Sequence, residues 1–304
     1  MGTRGRLSSL GLALALVLSL AAGCGTSGSG SSASNLVTVA FGAGTFVAVG
    51  ANSNLFTSTD GANWVQGSLG LVGAIGNVAY GGNLFVVVGV TGLVLTSTDG
   101  MTWNPQSLPT ANMLRGASFG NGLFVVVGDG GTVFTSTNAA NWAAQASGTT
   151  ANLRQITFGN GTFVAVGDGG TILTSTDGAS WSAAQSGSTD QLNAIAFGAG
   201  TYIAAGASGT LLTSSDGATW SAITSGATAN LEAITYGLGL FTTVGSGGAI
   251  FTSSDGQSFA EQHSGTTNDL QGIAFGNNLL VAVGTGGVIL DSSDGTTWRP
   301  EQTP

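Results

Sequence analysis

Residues 153–189 read LRQITFGNGTFVAVGDGGTILTSTDGASWSAAQSGST, and this stretch predicts four short β-strands separated by tight turns. Apolar, β-branched and aromatic residues are frequent in the four segments Leu153–Phe158, Thr162–Val166, Thr171–Ser175 and Ser180–Gln185. Gly, Asn and Asp cluster at the junctions, where they allow the positive φ angles that hairpin turns require. The stretch therefore predicts an antiparallel four-stranded sheet.

The same pattern recurs every 39 residues along the chain. Two aromatic positions keep this spacing without interruption: Phe41, Tyr80, Phe119, Phe158, Phe197, Tyr236 and Phe275 in the first strand, and Trp64, Trp103, Trp142, Trp181, Trp220, Phe259 and Trp298 before the fourth. Seven repeats of one four-stranded sheet predict an all-β, seven-bladed β-propeller over residues 36–304. The alternative, a right-handed solenoid, favours shorter repeats and needs distinct capping ends, which neither terminal repeat resembles.

The composition excludes several classes of protein. Among 304 residues there are 53 glycines, 5 basic residues and 14 acidic residues, which gives a formal net charge of −9. A nucleic-acid-binding surface needs a stripe of basic residues to replace the counterions of the phosphates, and this chain has none. Because 42% of the residues are hydrophobic, the chain can form a core and is unlike a disordered protein. Glycine spread throughout the chain also disfavours helices.

The first 35 residues predict export and a lipid anchor. Residues 1–23 combine Arg4 and Arg6, a short apolar run and small residues, which is the pattern of a secretory signal peptide. The small residues before Cys24 resemble the bacterial lipobox, although Ala21 stands where that motif usually has Leu. We therefore expect Cys24 to carry lipid, residues 24–35 to form a Gly/Ser tether, and the propeller to lie outside the cytoplasm at the cell envelope. An ordinary signal peptide with an incidental cysteine is the alternative.

One polar residue recurs in the turn between the third and fourth strands of every repeat. A carboxylate or amide at this position accepts hydrogen bonds from nearby backbone N–H groups, so we expect a structural role rather than metal binding or catalysis. Asn replaces Asp in one repeat, as expected if hydrogen-bond acceptance rather than charge is required. The seven residues are Asp60, Asp99, Asn138, Asp177, Asp216, Asp255 and Asp294.

The segment Ser175-Thr-Asp177-Gly178-Ala-Ser-Trp181 resembles the Asp-box (BNR) motif of sialidase-like propellers. The preceding Val-Gly-Asp-Gly-Gly-Thr-Ile-Leu resembles the repeats of propellers similar to photosystem II assembly factors. Here glycine directly follows the aspartate, one residue earlier than in the sialidase form, and the assembly-factor-like propellers tolerate this variation better. The resemblance covers residues 36–304 and implies the propeller fold, without the sialidase chemistry.

Function is expected where the repeats differ from one another. In propeller blades, the loop between the second and third strands and the loop into the next blade lie on one face, around the central channel. The residues that we predict to bind a ligand or partner at this channel mouth are Arg115, Asp129, Arg154, Asp168, Asn193, Glu232 and Gln271. The alternative is that these are solvated loop residues, with Arg–Asp pairs of little energetic weight.

The chain offers few groups for catalysis, so we expect no enzymatic activity, no cofactor and no metal. His263 is the only histidine and falls in a segment predicted to be an exposed loop, which gives little support to a Ser-His-Asp relay or a histidine-rich metal site. A sialidase would need an arginine cluster, an acidic residue and a Tyr/Glu nucleophile pair, and none of the tyrosines is suitably placed.

The predicted function is that of a non-enzymatic, monomeric lipoprotein propeller that binds an envelope protein or a glycan. A role in envelope assembly is expected by analogy with the assembly-factor-like propellers. It would contact the membrane only through its anchor and would not bind nucleic acid. The alternatives are a sialidase-like glycoside hydrolase and a surface-coat or spacer protein without a specific ligand.

Overall fold

The computed structural model describes residues 35–70 and 73–302. The predicted signal peptide, Cys24 and all of the predicted tether except Asn35 lie outside the described residues. Within these described ranges, no helix is long and apolar enough to cross a membrane.

Seven four-stranded antiparallel sheets make up the fold, which confirms the predicted seven-bladed propeller. In each sheet the strands follow one another in chain order, and we number them β1 to β28, four to a blade. Blades 1 to 4 contain β1 Leu36–Gly42, β2 Thr45–Gly50, β3 Asn54–Ser58, β4 Val65–Ser68; β5 Ile75–Gly81, β6 Leu84–Gly89, β7 Leu93–Ser97, β8 Asn104–Ser107; β9 Leu114–Gly120, β10 Leu123–Gly128, β11 Thr132–Ser136, β12 Ala143–Ala146; and β13 Leu153–Gly159, β14 Thr162–Gly167, β15 Ile172–Ser175, β16 Ser182–Ala184. Blades 5 to 7 contain β17 Leu192–Gly198, β18 Thr201–Gly206, β19 Leu211–Ser214, β20 Ser221–Ile223; β21 Leu231–Gly237, β22 Leu240–Gly245, β23 Ile250–Ser253, β24 Ala260–Gln262; and β25 Leu270–Gly276, β26 Leu279–Gly284, β27 Ile289–Ser292, β28 Arg299–Pro300.

A single 3-10 turn joins the second and third strands of every blade. The seven turns are Ala51–Ser53, Val90–Gly92, Asp129–Gly131, Asp168–Gly170, Ala207–Gly209, Ser246–Gly248 and Thr285–Gly287. The middle residue of each has a positive φ, such as +63° at Gly169, which explains why glycine is frequent there.

The hydrophobic core lies between the blades. Val164 and Ile172 of blade 4 pack with Leu192, Tyr202 and Trp220 of blade 5, and all five side chains are buried. Because the second and third strands contact a neighbouring blade on both faces, their runs of consecutive apolar residues are buried throughout.

Close contact between blades also explains a glycine at the end of each first strand. The ring of Phe197 in blade 5 lies over Gly159 in blade 4, and a methyl group added at Gly159 would lie 2.1 Å from the ring atom Cγ. Phe158 itself packs on Phe163 with ring centroids 4.6 Å apart. The aromatic residue and the glycine that follows it therefore form one repeated packing unit.

The ring closes between blades 7 and 1 through the same contacts as the other interfaces. Phe41 lies over Gly276, as Phe197 lies over Gly159. The backbone N–H of Gly286 donates to Asn35 Oδ1 at 2.9 Å, and Asn277 Nδ2 donates to the carbonyl of Thr59 at 2.8 Å. No strand is exchanged between the first and last blades in the part of the chain described. Closure therefore depends on side-chain packing and a few hydrogen bonds.

The recurring turn after the third strand is held by side chain to backbone hydrogen bonds. Asp177 Oδ1 accepts hydrogen bonds from the backbone N–H groups of residues 179 and 180, both at 2.8 Å. Ser175 Oγ donates to the same carboxylate and accepts from the N–H of Gly178. The indole of Trp181 donates to the carbonyl of Gly178 at 3.0 Å and so covers the turn.

Blade 3 departs from this turn. Asn138 Oδ1 still accepts from the N–H groups of Ala140 and Asn141, at 3.0 and 2.9 Å. Ala139, however, stands where the other blades have glycine and adopts a φ of +54°. The indole Nε1 of Trp142 is buried and has no hydrogen-bond partner. An amide thus replaces the carboxylate in this turn, and the tryptophan of the same turn lacks the hydrogen bond that the tryptophans of the other blades make.

Candidate functional site

The central channel is lined by the first strand of each blade and has a volume of about 470 Å³. This volume lies within the range of about 300 to 1,000 Å³ that is usual for small-molecule and cofactor pockets. Of the predicted site residues, Arg115, Arg154, Asn193, Glu232 and Gln271 line the channel. Val37 of blade 1 and Gly76 of blade 2 occupy the equivalent positions, so that part of the wall has no polar side chain there.

Each of these seven channel-facing positions lies at a β-bulge. In blade 4, Leu153 pairs with Gly167 and Gln155 pairs with Val166, so Arg154 between them has no partner in the ladder. The other six first strands show the same shift in register. Bulges redirect a side chain away from the regular alternation of a strand and are frequent next to active sites. Sequence reasoning identified the varying positions but not the bulge that presents them.

The two arginines are each paired with an aspartate of their own blade. Arg115 Nε donates to Asp129 Oδ1, and Arg115 Nη2 donates to Asp129 Oδ2 at 3.0 Å. Arg154 Nε donates to Asp168 Oδ1 at 2.5 Å. The aspartates belong to the 3-10 turns and hold the arginines from outside the channel lining. All four side chains keep between 26% and 34% of their surface exposed, so the pairs add little to stability.

A third residue supports the blade 4 pair. Asn152 Nδ2 donates to Asp168 Oδ2 at 2.9 Å. Burial acts to raise the pKa of Asp168, but the hydrogen bonds from Arg154 and Asn152 and the positive charges of Arg154 and Arg115 hold it below its ordinary value. The Asp168 carboxylate is therefore charged at neutral pH, and the orientation of Arg154 is set by its own blade.

Asn193 is already used in holding two blades together. Its Nδ2 donates to the carbonyl of Leu231 in blade 6 at 3.1 Å, and its Oδ1 accepts from Gln191 Nε2. Gln271 occupies the same position in blade 7, and its side chain makes no hydrogen bond with any residue that the structure describes. The amide of Gln271 is therefore available to a ligand, whereas that of Asn193 is not.

Glu232 is a half-buried acidic residue of the channel wall without a cationic partner. Its carboxylate makes no hydrogen bond or ion pair within the described ranges. Burial raises the pKa of Glu232, the charge of Arg154 offsets part of this shift, and the charge of Asp269 adds to it. The wall of blade 6 thus carries a negative charge that the protein itself leaves unpaired.

The loops that lead into the first strands hold blades together. Asn152 Oδ1 accepts from the backbone N–H of Gly130 in the preceding blade at 3.0 Å, and Asn230 and Asp269 accept in the same way from Ser208 and Gly247. Asn152, Asn230 and Asp269 stand at multiples of 39 residues from one another, and this spacing could have indicated the structural role, which the sequence analysis did not assign.

The groups that usually support catalysis or metal binding are sparse. Within the described part of the chain, no group of three or more His, Cys, Asp or Glu residues could hold a metal ion. His263 is exposed and follows β24, an outer strand, as its position in the sequence predicted.

Comparison with known proteins supports the fold. Residues 26–153, less than half of the chain, match the DUF6242 beta propeller domain family. No curated protein matches this sequence.

The solved structures similar to this chain include two of YCF48 and one of a designed protein. YCF48 bound to D1 peptide is 19% identical with a TM-score of 0.62, over 75% of this chain and 81% of that one. YCF48 from Cyanidioschyzon merolae is 21% identical with a TM-score of 0.63, over 79% of this chain and 88% of that one. The computationally designed Ika8 protein is 14% identical with a TM-score of 0.65, over 88% of this chain and 87% of that one. At these identities the likeness concerns the fold alone, and for the fold the predicted resemblance to assembly-factor-like propellers is confirmed.

Proposed function

We propose that this protein binds a segment of a protein partner at the mouth of its central channel and catalyses no reaction. The observation that carries the proposal is the contrast between repeated blades and varied channel positions. Six different residue types occupy the seven bulge positions, and only Arg115 and Arg154 repeat one another. Residues that serve only to hold the blades together would be expected to recur, as the turn residues do. The propeller of YCF48, whose structure contains a bound D1 peptide, is a precedent for peptide binding by this fold.

The paired arginines support recognition rather than catalysis. Arg115 and Arg154 are held in place by their aspartates, so their positions are set before a partner arrives. Preorganised polar groups lose less conformational freedom on binding than mobile ones. Arg154 Nη1 and Nη2 donate no hydrogen bond to any described residue, which leaves them free for carbonyl oxygens of a bound segment.

Tyr202 is unsuited to act as a nucleophile. Tyr202 is fully buried and donates its hydroxyl to the carbonyl of Gly159 in the neighbouring blade. Burial raises the pKa of Tyr202 to about 12, so the phenolate is disfavoured at neutral pH. Turnover of a fluorogenic sialoside by the purified protein would contradict a non-catalytic role.

The experiment that tests partner binding compares the proteins captured from the native envelope by three forms of the protein. Arg115→Gln combined with Arg154→Gln removes both channel charges, and Arg299→Gln on β28 is the matched control on an outer strand. We expect a partner that is retained by the unchanged protein and the control, is lost by the double variant, and binds again when both proteins are purified. An unchanged set of captured proteins in the double variant would refute the channel mouth as the binding surface.

We also propose that Cys24 is lipidated and holds the propeller at the outer side of a bacterial membrane. The support is the order of basic residues, apolar run, small residues and cysteine in residues 1–24. Labelled palmitate should be incorporated by the full chain and not by the Cys24→Ser variant. Equal labelling of the two would refute the anchor.

A further inference from the structure

The charges of the channel are matched on one side and unmatched on the other. Blades 3 and 4 contribute two arginines, each neutralised by the aspartate of its own 3-10 turn. Blade 6 contributes Glu232, for which none of the described residues supplies a cationic partner. All five basic residues of the chain are arginines, so no lysine is available to pair with Glu232.

An unpaired carboxylate in a half-buried position is costly. A charge taken partly out of water loses hydration, and the loss is recovered only when an opposite charge or hydrogen-bond donors replace the water. Around Glu232 the recovery is incomplete: the charge of Arg154 offsets part of the loss, no donor among the described residues contacts the carboxylate, and Asp269 in the next loop adds a second negative charge. The Asp269 carboxylate is itself engaged through Oδ1 with the N–H of Gly247 at 2.8 Å.

We infer that the bound segment inserts a lysine or arginine side chain into the channel, where it pairs with Glu232. The inference rests on the proposed binding of a protein segment at this site and names the chemistry of the group that enters. A cationic side chain is the complement of this wall because it supplies both the charge and the N–H donors that Glu232 lacks.

The neighbouring blades fit such a group. Gln271 occupies the next bulge position and has a free amide oxygen that can accept a second N–H bond. Beyond it, Val37 and Gly76 place no charge on the wall and leave space for the aliphatic part of a long side chain.

The test uses the full chain and a library of random linear peptides displayed on phage as the probe. The unchanged protein should enrich peptides that share a lysine or arginine at one position. Glu232→Gln, which keeps the size of the side chain and removes its charge, should lose these peptides. Glu261→Gln on the outer strand β24 is the matched control and should retain them. Thermal melting of both variants shows whether the fold is intact.

The two proposals fail in different ways. Enriched peptides without a basic residue, bound equally by the unchanged protein and by Glu232→Gln, would refute the cationic group and leave channel binding intact. No peptide enriched over the Arg115→Gln, Arg154→Gln double variant would refute binding at the channel mouth and, with it, the cationic group.

A selected peptide then gives a second, independent readout. Its dissociation constant should rise about 10- to 100-fold on Glu232→Gln, as expected for a lost charge-assisted hydrogen bond. Burial raises the pKa of Glu232, so the affinity of the unchanged protein should also fall as the pH is lowered, and the fall should begin at a higher pH than for an ordinary glutamate. The affinity of the variant should not change. Equal pH dependence in the two proteins would refute the role of Glu232.

Discussion

The turns after the third strands and the bulges of the first strands occupy equivalent places in all seven blades. The residues of the turns are repeated from blade to blade, whereas those of the bulges differ. The turns repeat almost the same residues, and each carboxylate or amide makes the same backbone hydrogen bonds. The bulges carry residues that range from Val37 and Gly76 to Arg154 and Glu232. Repetition therefore marks positions that stabilise the propeller, and variation marks positions that are free for recognition.

The strongest test of this division is removal of a tryptophan from a turn. Trp220 keeps only 9% of its surface exposed, packs in the core between blades 4 and 5 and donates to the carbonyl of Gly217 at 2.9 Å. Trp220→Ala should lower the free energy of unfolding by about 3 to 5 kcal/mol, as usual for a buried aromatic residue. The half-buried Trp181 gives the matched comparison, and its alanine variant should lose less stability. Equal losses in chemical denaturation would show that burial does not determine the effect.

A smaller effect is expected from the glycine of the same turn. Gly178 has a φ of +73°, and an added methyl group would lie 2.7 Å from Leu123 Cδ2 of blade 3. Gly178→Ala should therefore destabilise the protein by about 1 to 2 kcal/mol, because a side chain is strained in the left-handed region.

The reverse substitution, alanine to glycine, can be made at the equivalent position of blade 3. Ala139 has a φ of +54° and is fully buried, so Ala139→Gly relieves the backbone but loses the packing of a methyl group. Its net effect should be within about 1 kcal/mol, since the two contributions are of similar size. A large loss in this variant, measured by the same denaturation, would show that the turn tolerates alanine without strain.

The turn carboxylates predict a loss of stability in acid. Hydrogen bonds from backbone N–H groups lower the pKa of Asp99, Asp177 and Asp216 to about 2. A pKa below the unfolded value of about 3.9 contributes stability that is present above that pH and is lost as the pH falls towards 2. Combined replacement of the three by Asn, as in blade 3, should lower the melting temperature at neutral pH, because the amide keeps the acceptor oxygen but not the charge, and should reduce the further fall in acid. A fall as steep as that of the unchanged protein would exclude these carboxylates as the cause.

Two acidic residues of blade 7 predict a weaker pH effect of the opposite sign, namely a loss of stability as the pH rises. Asp291 stands where the six other blades have Thr, and Glu301 stands where two blades have a Gln that donates to that Thr at 2.9 Å. Asp291 keeps 8% of its surface exposed, and its Oδ1 has no hydrogen-bond partner. Burial, a hydrogen bond with Asp291 and the charges of Asp291 and Asp60 raise the pKa of Glu301, and Arg299 opposes the shift.

A raised pKa contributes stability that is present below the unfolded value of about 4.3 and is lost as the pH rises through the folded value. Asp291→Thr combined with Glu301→Gln restores the pair used in other blades. It should slightly raise the melting temperature at about pH 7 and have less effect at about pH 4. A variant that melts lower than the unchanged protein at neutral pH would contradict this assignment.

Much of the fold could be predicted because its determinants are local and repeated. The turn chemistry of Gly178 and Asp177 and the apolar strands between Thr162 and Ser175 specify one blade, and the 39-residue spacing specifies seven. The site could be predicted only as a set of varying positions. Which of Asn193, Glu232 and Gln271 is free for a ligand depends on hydrogen bonds to residues of other blades and loops. These contacts cannot be predicted from the sequence of one blade.

The sequence alone determined the number of blades, the strands within them and the residues that close their turns, because each depends on neighbours along the chain. The tertiary structure decided how the ring closes, where the bulges direct Arg154 and Glu232, and which charges are paired. These features arise only when strands from different blades surround one channel, since burial and the charges of distant residues then act on side chains that are far apart in sequence.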